Sequence, residues 1–411
     1  MYKLNKLTFI IVSLFCLLLL ISSVSAVDLT VNSDTSHKNI TDWMDNNSTI
    51  KGDNLIFNTS SYDLSDTLVL TKSINIKSDI KTQINFNQNK NMFNLTASEI
   101  SFSGLTLDYN GKGGFGEPVS TIFAEGSKII TLQDTSINLN KEYNVAINME
   151  NGNCNIINSH INGNALVNYG VWSYNNLAIN SQNSSITFNE DFGYGLYVLN
   201  KLTGDFTNTK IVLQSVSTGI FSPEWTGNFI NSEITGKSVS VGMFIGKWSG
   251  KISDSTIILS GIGSVGLTLT KSKGTISKST VHVKKGFAVY ASGGLKVSKS
   301  SIKSKKGQPS VYYFGPRMHI LKVSSYTKSK VYTFKIYNKG ESKSKTSKLT
   351  ITSGKFKKTV NVKGIKAGKT TTVKVTLPAK YASKKTKKSA KVVFYNSAGK
   401  KESSKILKFK F

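Results

Sequence analysis

The chain carries one arginine, Arg317, although lysine and arginine together number 53. It has 5 prolines, 4 histidines and 2 cysteines in 411 residues, and no aspartate after Asp254. Each scarcity excludes something. Cys16 falls in an N-terminal apolar leader, so Cys154 stands alone beyond it and no disulfide framework is available. No lysine or arginine flanks Cys154, which reads as a small buried residue rather than a reactive thiol. His37, His160, His282 and His319 are scattered without metal-ligand spacing, so neither a metal nor a cofactor is expected. Scarce arginine also removes the bidentate fork that reads bases best, and no nucleic-acid-binding fold is recognisable. Nucleic acid is therefore not an expected partner. Long apolar runs are missing past the leader.

The leader itself has three parts. Lys3 and Lys6 precede an apolar run at 9–21, broken only by Ser13, and Val24 and Ala26 place small residues where signal peptidase reads. The run is shorter than the roughly 20 apolar residues of a spanning helix. A signal peptide over 1–26 is expected, with no membrane-spanning segment after its cleavage. The mature chain is expected to be secreted, extracellular or cell-wall associated.

Charge splits what remains. The formal net charge is +30. Residues 27–315 hold 24 lysines against 21 acids, whereas residues 316–411 hold 26 lysines and Arg317 against Glu341 and Glu402, a net +25. That shift sets a domain boundary near Gly315 and Pro316.

The longer part is a repeat. One phrase recurs: apolar, any residue, polar, Ser or Thr, any residue, then Ile or Val. Its closing apolar residues are Ile137, Ile161, Ile186, Ile211, Ile234, Ile257, Val281 and Ile302. Two positions earlier stand Thr135, Ser159, Ser184, Thr209, Ser232, Ser255, Ser279 and Ser300, always a hydroxyl. A second phrase sets a small residue before an apolar one: Ala146-Ile147, Gly170-Val171, Gly195-Leu196, Gly219-Ile220, Gly242-Met243, Gly266-Leu267 and Ala288-Val289. A period near 24 with two short apolar runs and turn residues between them fits one coil of a β-solenoid. Coils then stack about 4.8 Å apart, and equivalent positions form ladders. The fold class expected for 27–315 is all-β, a right-handed parallel β-helix. A short amphipathic helix at 40–44 caps its start and covers the first strand edge. Residues 110–118, with four glycines, form a surface loop. Residues 316–411 alternate through seven short runs and suit a small Ig-like β-sandwich.

At these residues the chain resembles a known family. The stretch NLTASEISFSGLTLDYNG and the Ser-Ile ladders resemble the β-helix repeats of adhesin-like surface proteins, especially those of methanogenic archaea. The phrases IYNKGESKSKTSKLTI and AGKTTTVKVTLP resemble the adhesion-related Ig-like domain that often follows such helices. The resemblance implies a surface adhesin. Both motifs are structural and specify fold better than function.

Catalysis needs clustered chemistry. Parallel β-helix lyases group acids for calcium beside a basic residue, and β-helix hydrolases pair acids on adjacent coils. Here the best such pair is Asp108 with Asp134, and the body holds no arginine. A carbohydrate-active β-helix enzyme, polysaccharide lyase or glycoside hydrolase, is therefore the alternative reading, and a structural envelope component is a third. The sharper pattern is aromatic. After each small-apolar pair stand Trp172, Tyr197, Phe221, Phe244, Thr268 and Tyr290. Their apolar neighbours read inward, so alternation turns the rings outward. Trp225 and Trp248, four residues past Phe221 and Phe244, join them as candidate ligand contacts. The expected ligand is a surface glycan, an anionic cell-wall polymer or another cell-surface protein. For the basic tail, polyanion contact is expected from Lys343, Lys345, Lys348, Lys355, Lys357, Lys358, Lys384, Lys385, Lys387 and Lys388, since so many cations on a small domain attract polyanions.

Overall fold

The computed structural model describes residues 27–46, 53–291, 295–313, 315–316, 318–326, 331–340, 343–353, 356–376, 389–397, 399 and 401–408. The expected signal peptide, 1–26, lies outside the described residues. The chain is all-β: a parallel β-solenoid of about 11 turns and separate small antiparallel sheets at the C-terminal end. It divides into two units, Met1–Leu199 with Asn208–Lys210 and Asn200–Thr207 with Ile211–Phe411.

In the first unit, each repeat contributes three parallel ladders. One runs through Leu55, Ile76, Phe102, Leu132 and Ile156. The next runs through Ile84, Leu107, Ile137, Ile161 and Ile186. The third stacks Phe93, Ile122, Ile147, Val171 and Leu196. All these side chains are buried. The two short runs legible in each period therefore cover three strands. The Ser/Thr phrase bends through a corner, so its first apolar residue lies on one face and its last on the next.

That corner explains the hydroxyl column. The residue before each Ser or Thr is left-handed: Asp134, Asn158, Asn183 and Asn208 have φ of 49°, 48°, 51° and 50°. Such a backbone costs an L-residue roughly 1–2 kcal/mol, least for Asn and Asp. The hydroxyl offsets the cost by tying two successive coils together. Ser159 Oγ donates to the Ile157 carbonyl at 2.7 Å and accepts the Thr135 amide of the preceding coil at 3.1 Å. Asparagine side chains make a second set of rungs, as from Asn140 to Asn110, Asn164 to Asn140 and Asn189 to Asn164.

At the unit's start, helix His37–Asn46 is longer than the expected 40–44. It is opened by reciprocal bonds between Ser36 and Asn39, each amide donating to the other's side chain at 3.2 Å. Ile40, Trp43 and Met44 are its buried face. Residues 110–118 are loop, with Phe115 exposed on it.

The second unit repeats the same construction. Ile234, Ile257, Val281 and Ile302 stack in register, as do Ile220, Met243, Leu267, Val289 and Val311. Ser255 Oγ donates to the Ser253 carbonyl at 2.7 Å and accepts the Ser232 amide at 3.1 Å. Beyond the last coil lies a two-sheet domain. Strands Met318–Tyr326, Val331–Asn338 and Thr370–Thr376 form one antiparallel sheet; Phe356–Val362, Ser347–Ser353, Ser389–Tyr395 and Lys401–Lys408 form the other. Ile320, Phe334 and Ile336 of the first share a core with Leu349, Ile351, Val392 and Phe394 of the second. Among the described residues no helix is long and apolar enough to cross a membrane.

Candidate functional site

In both units the small residue of the second phrase marks a local irregularity. Strands Tyr169–Ser173 and Tyr194–Val198 each bury two consecutive residues, Gly170-Val171 and Gly195-Leu196, between half-buried aromatics. A Cβ on Gly219 would lie 2.4 Å from the Gly242 carbonyl oxygen, so backbone passes where a side chain would clash. The residue before the glycine and the residue two after it both turn outward, giving two parallel outer columns instead of one.

In the first unit those columns make a platform of rings. Tyr169 lies 4.8 Å from Trp172, 5.3 Å from Tyr194 in a stacked pair, and 5.9 Å from Tyr197. Trp172 meets Tyr197 edge-on at 5.5 Å and Tyr174 at 5.4 Å. Tyr174 and Leu199 continue the patch as exposed neighbours. Burial, with Tyr194 and Tyr197 alongside, pushes the Tyr169 hydroxyl up to about 12, and burial raises Tyr194 as well. Both phenols are therefore neutral donors and acceptors around neutral pH. Beside the rings, Asn148 pairs laterally with Trp172. Asn148 is 3% exposed, and neither its Oδ1 nor the buried Trp172 Nε1 has a hydrogen-bond partner among the described residues.

In the second unit Phe221 and Phe244 stack at 5.5 Å with planes 18° apart. Farther along, Phe287, Tyr290 and Tyr312 form a triangle with separations of 4.8, 5.1 and 5.9 Å. Trp172, Tyr197, Phe221 and Tyr290 are half-buried and Phe244 is 41% exposed, while Val171, Leu196, Ile220, Met243 and Val289 are buried. The facing read from alternation holds for these five rings.

It fails for Trp225 and Trp248. Both are core residues, 0% and 1% exposed, stacked at 6.2 Å, and each indole donates to a backbone carbonyl, of Gly204 at 3.2 Å and Gly227 at 3.3 Å. They cannot be surface ligand contacts. Alternation is reset between Ser222 and Trp225: both are buried although they stand an odd three positions apart, and the Ser222 hydroxyl donates to the Glu224 carbonyl at 2.7 Å across the bend. Conversely, Tyr169, Tyr194, Phe287 and Tyr312 were not singled out from sequence. The phrases Tyr169-Gly170, Tyr194-Gly195 and Phe287-Ala288 carry the signal, but strict period-2 facing would turn those rings inward.

The acid pair does not assemble. Register pairs Asp108 with Asn138 and Asn85, whereas Asp134 is a left-handed corner residue four positions before Asn138. The Asp108 carboxylate accepts the side-chain amides of Gln83 at 2.7 Å and Asn138 at 2.6 Å, which makes it a rung of the amide ladder. Asp134 lines a small cleft of about 160 Å³ with Lys81, Ser136, Asn158 and His160. His160 Nδ1 is 2.8 Å from Ser185 Oγ, another rung between coils. Cys154 is wholly buried, and burial pushes its thiol up to about 12, so it is an inert core residue. Among the described residues no three of His, Cys, Asp and Glu gather as a cluster.

Of the tail lysines, Lys343, Lys345, Lys348, Lys357 and Lys358 are exposed. Lys355, Lys384, Lys385, Lys387 and Lys388 lie outside the described residues.

The solenoid thus carries outward aromatic columns and is followed by a lysine-rich two-sheet domain. Comparison with known families places the second part more closely. Residues 320–403 match the CARDB family, an adhesion-related Ig-like domain. Neither the curated proteins nor the solved structures contain a match to the chain.

Proposed function

We propose that this is a non-catalytic, adhesin-like surface protein. Its solenoid binds glycan through the ring platform of Tyr169, Trp172, Tyr194 and Tyr197, and its basic domain retains it on anionic envelope polymer. The platform carries the reading. Four rings in mutual contact with exposed flanks have no core to fill, and contiguous exposed apolar surface marks an interaction site. Flat rings suit the apolar faces of sugars. The neutral phenols of Tyr169 and Tyr194 supply hydrogen-bonding groups at the edge. The CARDB match to residues 320–403 supports an adhesive rather than catalytic role.

A glycan array probed with residues 27–411, alongside a reducing-sugar release assay, tests this. Binding without turnover is expected, with Trp172→Ala and Tyr197→Ala abolishing binding at an unchanged thermal midpoint. Sugar release would instead establish the lyase or hydrolase reading, and silence in both assays the structural-envelope reading. Retention by the tail is electrostatic in this proposal, resting on its net +25. Release of the protein from isolated envelopes should therefore rise steeply as salt shortens the Debye length from about 10 to 3 Å. A truncation at Gly315 that is retained equally well would disprove tail anchoring.

A further inference from the structure

A second recess lies within the second unit, where its last coil meets the two-sheet domain. It is a cleft of about 930 Å³, within the size range of small-molecule sites, lined among others by Pro309, Tyr312, Tyr313, Tyr337, Lys339 and Gly368. Both walls are tied down. Asn338, fully buried, donates its side-chain amide to the Ile365 carbonyl at 2.9 Å and accepts the Gly340 amide at 2.9 Å. Its backbone bonds Lys369 and Gly368 at 3.0 Å each. On the opposite wall, Ser304 Oγ accepts the Ala288 amide at 2.9 Å and donates to the Pro309 carbonyl at 2.8 Å. A parallel bridge from Tyr313 to Gly340 closes the floor.

Two features give the recess a chemistry. Tyr312 belongs both to it and to the outer triangle with Phe287 and Tyr290, so the ring surface of the solenoid runs into the cleft. Lys339 is the charged residue of the lining, it makes no ion pair among the described residues, and exposed Lys305, Lys306, Lys366 and Lys369 neighbour the lining residues in sequence. From 303 to 376 the sequence holds one acid, Glu341, which lies outside the described residues. A neutral sugar would use the rings and leave the cations idle; a polyphosphate would use the cations and leave the rings idle. We infer that this cleft takes a hexuronate unit of an acidic polysaccharide, its ring against Tyr312 and Tyr337 and its carboxylate against Lys339. The inference rests on the glycan-binding reading and narrows it to a sugar class.

The test is calorimetric titration of residues 27–411 with trigalacturonate, with its carboxyl-reduced counterpart, and with inorganic polyphosphate as competitor. Trigalacturonate should bind about tenfold more tightly than the reduced oligomer, the factor that corresponds to about 1.4 kcal/mol. Lys339→Gln should erase most of that preference while leaving the reduced oligomer's affinity in place, and Tyr337→Ala should weaken both. Equal affinity for the two oligomers, a preference that survives Lys339→Gln, or full displacement by polyphosphate would overturn the inference. If neutral glycans still bind in a Trp172-dependent way in any of those cases, the platform stands and the cleft assignment alone falls. If no glycan of either kind binds, both fall.

Discussion

Phe244 and Trp248 stand four residues apart on one strand, Ser240–Ser249, and each pairs in register with its own kind, Phe221 and Trp225. One stacked pair is half outside; the other is sealed in the core. Identical spacing, strand and stacking thus produce opposite environments. The difference lies between them, where the bend after Ser222 shifts the facing by one residue. A solenoid coil is several short strands joined by corners, and alternation carries information only as far as the next corner.

The largest perturbation lies in the inner column. Ile257→Lys buries an unpaired charge between Ile234 and Val281 and should leave no cooperative folding transition by calorimetry, since such a charge costs several kcal/mol. Next comes Trp248→Ala. It removes a fully buried indole and its bond to Gly227, and should destabilise by about 3–5 kcal/mol in denaturant melts. Ser255→Ala probes the corner between inside and outside. It leaves the buried Ser232 amide without its acceptor and should cost about 1–3 kcal/mol. Smallest is Phe244→Ala, expected below about 1 kcal/mol because the ring stands at the surface and its stacked partner remains. If the midpoints for Phe244→Ala and Trp248→Ala fell together, the inside-outside distinction would be wrong. A still sharper version sets Trp172→Ala beside Trp248→Ala: the first should abolish glycan binding at full stability, the second the reverse.

The two lysine-rich and aromatic regions differ in how far sequence could take them. Hydroxyls at Ser159, Ser184 and Ser255 recur because each corner needs one to hold a left-handed residue and an adjacent coil's amide, so their period disclosed the coil. The buried Ile columns and the five outward rings followed from the same frame. Tyr169 and Tyr194 did not, because a glycine irregularity places two residues of one strand on the same side. Nor did the separation of Asp108 from Asp134, which depends on which coil lies beside which.

Sequence by itself determined the repeat, the inward Ile ladders, the seven-run basic domain and its charge. These are set by local side-chain chemistry and by a period that every coil must share. Tertiary structure alone decided that Trp225 and Trp248 are core, that Tyr169 and Tyr194 complete a platform, and that Tyr312 meets Tyr337 and Lys339 around one cleft. Each depends on a corner, an irregularity or a junction, where a shift of one residue reverses which side of the sheet a side chain occupies.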